Sequence, residues 1–309
     1  MVFKQQIVNS ILYYKLWYYM RYVIPYHLLG EDRWNRLEIR RKYRLVFGKE
    51  ISLDKPQTLN EKLQWIKLHD RRDYLTQCAD KYAARNIWKQ FGEDGLVPLV
   101  FHTYNWKDIK PANIPEYPCI VKCNTGCAAY EIIRSKEDVN FRELQKKCRK
   151  WLIGNFYYQT QEWQYKNIKP CILVEKLLLD HNGHIPNDYK LHFFNGELQF
   201  IYCSIDREGE NYRAIYSPQW KRLDFEWLGR ELHKGYIGKD IQKPETFERM
   251  VTIGAEISKA FDYVRVDFYD VDGHLYYGEI TLEHGSGYDT FVPEKYDLQF
   301  GRNLLLTYK

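Results

Sequence analysis

The stretch Val264-Arg-Val-Asp-Phe-Tyr269 carries a cation and a carboxylate two residues apart, and in an extended strand that spacing sends Arg265 and Asp267 to one face. A second run, His274 to Leu282, contains Gly278-Glu-Ile-Thr281 and is joined to the first through Asp272-Gly273, a pair suited to a tight primed turn. Folded back as a hairpin, it brings Glu279 and Thr281 onto the face of Arg265 and Asp267. Two carboxylates and a hydroxyl from paired strands are hard oxygen donors of the kind magnesium prefers while it keeps waters and takes phosphate oxygens. Asp267, Glu279 and Thr281 are therefore the expected metal ligands. A surface hairpin with ordinary charges is the plainer alternative, and the mirrored acids beside Arg265 weigh against it. Directly afterwards, His284-Gly-Ser-Gly287 is a small-residue loop whose backbone donors can approach an anion closely.

Further cations lie upstream. Lys122 ends the apolar run Pro118 to Cys123 and is followed by Asn124-Thr-Gly-Cys-Ala-Ala129, so an ammonium and turn amides stand together where nucleotide phosphates could rest. A structural lysine with its head in water is the competing reading. Glu175 interrupts the apolar run around Ile172 to Leu179, where it can accept from an adenine amine or ribose hydroxyls, or simply form a strand-end salt bridge. Lys190 and Arg207, on the runs that follow, are cations able to hold a transferring phosphoryl group.

These residues need elements to hold them. Thr58-Leu-Asn-Glu61 has the spacing of a capping box, and Leu59, Leu63 and Ile66 continue with helical period, which predicts a helix over 58–69. A second helix is expected over 74–91, closed by Gly92, then a short strand over 96–101. Strands over 118–123 and 130–133, a charged helix over 138–151 and a strand over 171–177 complete one α/β group. Three strand-like runs follow at 189–194, 198–205 and 212–216, with Asn195-Gly196 as a hairpin turn between the first two. A helix over 244–261 precedes the closing hairpin. The fold class is α/β (α+β).

A chain of 309 residues with 45% hydrophobic content can bury one large core or two modest ones. The charge of +5 comes from 46 basic and 41 acidic residues spread along the chain, too little and too scattered for a nucleic-acid groove. Seven cysteines, an odd number in a chain far longer than a disulfide-stapled domain, read as mostly buried thiols of a reducing, cytoplasmic compartment, and Cys119, Cys123 and Cys127 lack the second ligand pair a structural zinc site needs. The aromatic segment 7–29 is broken by Lys15, Arg21 and Pro25, so it is not expected to span a membrane; its Tyr, Trp and basic residues suit a helix packed on the domain or one lying at the inner membrane face.

In this order, Asp80-Lys-Tyr-Ala-Ala-Arg85, Ile120-Val-Lys122, Val174-Glu-Lys-Leu177, Asp188-Tyr-Lys190, Val264-Arg-Val-Asp267, Gly278-Glu-Ile-Thr281 and Gly285-Ser-Gly287 resemble the ATP-grasp superfamily, in its TupA-like branch associated with teichuronopeptide and other surface-polysaccharide biosynthesis. The resemblance covers roughly residues 50 to 300. It implies two α/β lobes with ATP between them: a helical N-terminal extension over 1–75, a lobe with the phosphate loop over 76–180 and a lobe with the metal and catalytic residues over 181–309. It implies that Arg85, Lys122 and Lys190 hold phosphates, that Glu175 with the Lys176 and Leu177 backbone reads adenine, and that Asp267 and Glu279 bind two magnesium ions. Arg265 and Ser286 would then stabilise an acyl-phosphate or its tetrahedral adduct. The sequence departs from the family where Thr281 stands in place of asparagine and where the phosphate loop has a single glycine. The implied activity is ligation of a glycan or small-molecule carboxylate to an amine such as an amino acid, with release of ADP and phosphate. The acceptor is expected at variable stretches such as 155–168 and 216–240. Two rivals remain at this point: a metal-dependent glycosyltransferase reading Asp270-Val-Asp272 as its acid motif, and a catalytically weak membrane-associated scaffold.

Overall fold

The computed structural model describes residues 11–229 and 238–307. Residues 7–10 of the aromatic segment and 230–237 of the proposed acceptor stretch lie outside them. The chain opens with helices α1 (Ile11–Tyr18) and α2 (Ile24–Leu29), joined by a π-turn at Tyr19–Val23, and continues into α3 (Glu31–Phe47). Helix α4 (Leu59–His69) starts where the capping box predicts: the Thr58 side chain accepts from Glu61 N, and the Glu61 carboxylate accepts from Thr58 N.

The single helix expected over 74–91 is instead two, α5 (Asp73–Ala79) and α6 (Ala84–Trp88), closed by a 3-10 turn. The break has a local cause. The Asp80 carboxylate accepts from Tyr82 N and from the Asn124 amide, so the backbone at 80–83 turns to serve that side chain. Helices α7 (Phe141–Trp151), α8 (Phe156–Thr160), α9 (Phe247–Ser258) and α10 (Lys295–Asn303) follow.

Strands β1 (Leu99–Thr103), β2 (Cys119–Cys123), β3 (Tyr130–Ile133) and β4 (Ile172–Lys176) form an antiparallel sheet in the order β1-β4-β2-β3. Strand β1 begins three residues later than expected, after Pro98. A larger antiparallel sheet has the order β10-β9-β5-β6-β7, built from β5 (Asp188–Phe194), β6 (Glu197–Ile205), β7 (Tyr212–Tyr216), β9 (Tyr263–Val271) and β10 (His274–Thr281). Its two tight turns are those expected, with left-handed Asn195-Gly196 and Asp272-Gly273. Strands β8 (Glu226–Leu228) and β11 (Thr290–Val292) pair with each other.

The chain divides into two compact units. The first comprises residues 1–39, 80–82 and 98–177, and its core packs α7 on one face of the four-stranded sheet through Cys119, Val121, Ile133, Leu144, Cys148, Ile172 and Val174. The second comprises residues 40–79, 83–97 and 178–309. On one side of its five-stranded sheet α9 lies close enough that a Cβ on Gly254 would fall 2.6 Å from Phe193. On the other side an aromatic cluster of Phe194, Phe200, Trp227, Tyr263, Phe291 and Phe300 fills one end, with Leu59 and Leu63 of α4 packed into it. The rest of that face carries charges.

Candidate active site

The register of the large sheet assembles those charges. Lys190 pairs with Asp267, His192 with Arg265 and Asp188 with Tyr269 across β5 and β9, while Thr281 pairs with Arg265 across β10 and β9. Paired residues share a face and alternate residues return to it, so Asp188, Lys190, Arg265, Asp267 and Thr281 all emerge together. A bulge between Tyr277 and Ile280 shifts the register at Glu279. There Gly278 lets the strands approach, since a Cβ at that position would lie 2.7 Å from the Asp267 carbonyl oxygen.

Arg265 grips Asp267 with two parallel bonds, Nε to Oδ1 at 2.7 Å and Nη2 to Oδ2 at 2.6 Å. Lys190 Nζ donates to the same Oδ2 at 3.0 Å and bridges to the Asp188 carboxylate. Arg265 Nη2 also stands 4.0 Å from Glu279 Oε2. Two largely buried cations thus sit between the buried carboxylates of Asp188 and Asp267, with the half-buried Glu279 at the edge, so each buried charge is tolerable only because its neighbours compensate it.

The relay extends further. Arg265 Nη1 lies 3.0 Å from His284 Nδ1, and a guanidinium only donates, so Nδ1 must accept and the imidazole proton belongs on Nε2. That nitrogen is 3.2 Å from Asp289 Oδ2. Burial pushes the His284 pKa down, with the Arg265 charge adding to the effect and Asp289 opposing it, which keeps the ring neutral as the arginine requires.

The glycine loop behind the hairpin is shaped by packing. Gly285 and Ser286 both take left-handed backbone, at φ 54° and 55°. Helix α4 holds them: Gln64 Nε2 donates to the carbonyls of Ser286 and Gly287, and the buried Lys67 donates to the Ser286 carbonyl at 2.6 Å and hydroxyl at 2.8 Å. The Ser286 amide closes the turn onto the Glu283 carbonyl, so it is already spent as a donor.

In the first unit, Lys122 and Glu175 lie on the sheet face opposite α7 and pair at 2.5 Å. The Lys176 side chain is exposed and Leu177 is buried. Their amides donate to the Pro98 and Pro118 carbonyls, so in this conformation neither is a free donor for a base. Arg85 belongs to the second unit, where Nη1 donates to the Val97 carbonyl at 2.9 Å. Arg207 is half-buried in the turn after β6, and its charge bears on the Tyr269 hydroxyl together with Asp188, Asp267 and Glu279.

Asp188, Tyr269, Lys67, His192 and Asp289 received no role from sequence. The Asp188-x-Lys190 spacing repeats the Arg265-x-Asp267 logic and could have flagged Asp188. Lys67 gave no such signal, because a lysine in a helix normally points to water.

The donor chemistry fits magnesium. The oxygens of Asp188, Asp267, Glu279 and Thr281 share the face, and Asp188 Oδ1 and Thr281 Oγ1 are buried without a hydrogen-bond partner. Among the described residues no group of three or more His, Cys, Asp or Glu side chains forms a ready metal cage.

A family model described as TupA-like ATP-grasp matches residues 61–305. The chain belongs to the TupA-like ATP-grasp family. It matches no curated protein. Among solved structures it is similar to a D-alanine–D-alanine ligase from Helicobacter pylori, at 15% identity, over 80% of this chain and 68% of that one, with TM-score 0.41. It is similar also to purK, an N5-carboxyaminoimidazole ribonucleotide synthetase in its ADP complex, at 13% identity, over 72% and 51%, with TM-score 0.39. A third similar structure is the ATP-grasp ligase PsnB with minimal precursor, Mg and ADP, at 12% identity, over 69% and 52%, with TM-score 0.37. The chain therefore spans about half the length of the synthetase and of PsnB. In this ATP-grasp chain the acid motif considered for glycosyl transfer is structural: Asp270 accepts from the Thr246 amide and hydroxyl and the Gly273 amide, and Asp272 accepts from His181.

Proposed function

We propose that the protein is an ATP-dependent ligase that joins a carboxylate to an amine through an acyl-phosphate, releasing ADP and phosphate. The observation that carries this reading is the buried Lys190–Asp267–Arg265 array on one sheet face in a chain of the ATP-grasp family. A substrate carboxylate oxygen attacks the γ-phosphorus and the bond to the ADP oxygen breaks. The amine then attacks the acyl carbon, phosphate departs and the amine gives up a proton. Charge builds first on the phosphoryl oxygens and then on the acyl oxygen, so fixed cations are what the reaction needs.

Lys190 and Arg265 supply them, pre-aimed by carboxylates that already hold both side chains. Lys122, Arg85 and Arg207 are proposed to hold the remaining phosphate oxygens, Glu175 with the strand end at Lys176 and Leu177 to read the base, and Ser286 to support the acyl adduct. Two magnesium ions, held through Asp267, Glu279 and Thr281, would neutralise phosphate charge when bound. The structural use of Asp270 and Asp272 favours this reading over glycosyl transfer.

We assign the products to surface-polysaccharide modification on the strength of the TupA-like branch. Leu12, Leu16 and Leu28 are 78%, 62% and 79% exposed beside Trp17 and Met20, which supports an N-terminal segment resting on the lipid surface. No helix among the described residues is long and apolar enough to cross a membrane. Retention on anionic vesicles, lost in Leu12→Ser/Leu16→Ser, is the expected outcome; an unchanged pellet fraction would refute the contact.

The ligase reading is tested by incubating the protein with ATP, magnesium, free amino acids and uronic-acid glycans. ADP and an amide-sized mass gain are expected in the wild type and in neither Asp267→Asn nor Glu279→Gln. Undiminished ADP formation in both variants would sink the assignment.

A further inference from the structure

A guanidinium carries its N–H donors in one plane, one on Nε and two on each Nη. In Arg265 the Nε hydrogen and one Nη2 hydrogen go to the oxygens of Asp267, and one Nη1 hydrogen goes to His284 Nδ1 at 3.0 Å. One N–H remains on each Nη, and among the described residues neither makes a hydrogen bond. Glu279 Oε2, 4.0 Å from Nη2, is beyond the reach of one. With Asp267 alone, the guanidinium could swing about the edge that faces the carboxylate. A third bond, from Nη1 in another direction, removes that freedom.

The two holds differ in kind. Asp267 also accepts from Lys190 and is a proposed magnesium ligand, so its oxygens are shared with other cations. The bare nitrogen of a neutral imidazole has one in-plane lone pair, and on His284 the arginine occupies it. The imidazole is itself fixed. Its ring packs on Trp227, 4.3 Å away between centroids, and on Tyr202, at 5.3 Å, and its backbone hydrogen-bonds the buried Tyr263 hydroxyl. Asp289 Oδ2 stands 3.2 Å from Nε2, which favours a proton there and leaves Nδ1 bare for the arginine. Gly285 makes room for that carboxylate, since a Cβ would fall 2.4 Å from Asp289 Cγ.

Resting on the ligase reading, we propose that His284 is a positioning residue: as a neutral acceptor it locks the plane of Arg265, so that the two uncommitted N–H groups are presented to the acyl oxygen as its charge develops. A ring that is missing, or that carries a proton on Nδ1, leaves the arginine free to turn.

His284→Leu fills the space of the ring without an acceptor, whereas His284→Asn restores an amide oxygen near the place of Nδ1. Assayed for ADP with ATP, magnesium, amino acids and uronic-acid glycans, the leucine variant should lose about ten- to a hundredfold in kcat, the worth of one hydrogen bond to a charged group. The asparagine variant should recover most of that loss, and KM for ATP should hold steady in both. A ring needed only for packing would cost the two variants alike. Equal loss in both, or a loss carried by KM for ATP, overturns the proposal. A second readout needs no turnover. In the intact protein labelled with nitrogen-15 histidine, the ring signals that vanish in His284→Asn should report a neutral ring protonated on Nε2 at neutral pH. A proton on Nδ1, alone or with one on Nε2, also overturns the proposal. A protein with the expected tautomer that never forms ADP would refute the ligase reading and leave the hold on Arg265 standing; ADP formation with Nδ1 protonated would do the reverse.

Discussion

Lys190 is the side chain on which the charge balance turns. It stands between Asp188 and Asp267, and its removal leaves those carboxylates in a buried site with Arg265 alone. Loss of one partner from a buried ionic array costs about 3–5 kcal/mol. Lys190→Met should therefore lower urea-unfolding stability by an amount in that range and abolish ADP formation. Adding Asp188→Asn should restore part of the stability and none of the activity. Full stability in the single variant would show that the array does not hold the sheet face together. At this scale Arg265, Asp267, Glu279 and Thr281 could be read from strand alternation, because two-residue spacing fixes the face. His284, Asp289 and Lys67 could not, since their roles arise from contacts between segments far apart in sequence. Ser286 was visible as part of a small-residue loop, but its two bonds from Lys67 were not.

Helix α4 shows how an element serves the site. Its amphipathic spacing buries Leu59, Leu63 and Ile66, and the same helix delivers Gln64 and Lys67 to the loop at 284–287. Thr58→Ala removes the N-terminal cap and should cost about 1 kcal/mol in urea unfolding. Because the helix stays packed at low temperature, ATP turnover there should be unaltered; a turnover defect matching the stability loss would mean that the cap also positions the loop. Gly278 makes the complementary case in the sheet. Gly278→Ala pushes a methyl group against the Asp267 backbone, so a lower thermal midpoint and weaker ADP formation should appear together, and loss of neither would contradict the close strand approach. The capping box and both tight turns were legible because their signals are local. The break at Asp80 was not, because it answers to Asn124, which lies 44 positions away.

Across the whole molecule, two neutral histidines buried in the large sheet's core tie folding to pH. Burial, with the charges of Arg265 and Lys190 adding to it, drives the His192 pKa well below 6.5, and burial with Arg265 lowers that of His284 against the opposing pull of Asp289. The unfolded chain therefore takes up these protons first as pH falls through about 6.5. Stability should be fully present above that value and decline below it, with a smaller decline in His192→Asn; a urea midpoint flat from pH 7 to 5 would contradict two neutral buried rings. The hairpins around Asn195-Gly196 and Asp272-Gly273 followed from local turn signals, whereas the placing of β4 between β1 and β2, the pairing of β5 with β9, and the assignment of 80–82 to one unit and 83–97 to the other depend on long-range packing that no local pattern carries. The central claim is that a carboxylate oxygen attacks the γ-phosphate of ATP. It is tested most directly by supplying uronic-acid glycan labelled with oxygen-18 in its carboxylate, together with amino acids, magnesium and ATP, and weighing the released phosphate. One labelled oxygen in phosphate, formed in step with ADP and amide, is the predicted result; unlabelled phosphate, or AMP and pyrophosphate in place of ADP, would contradict it.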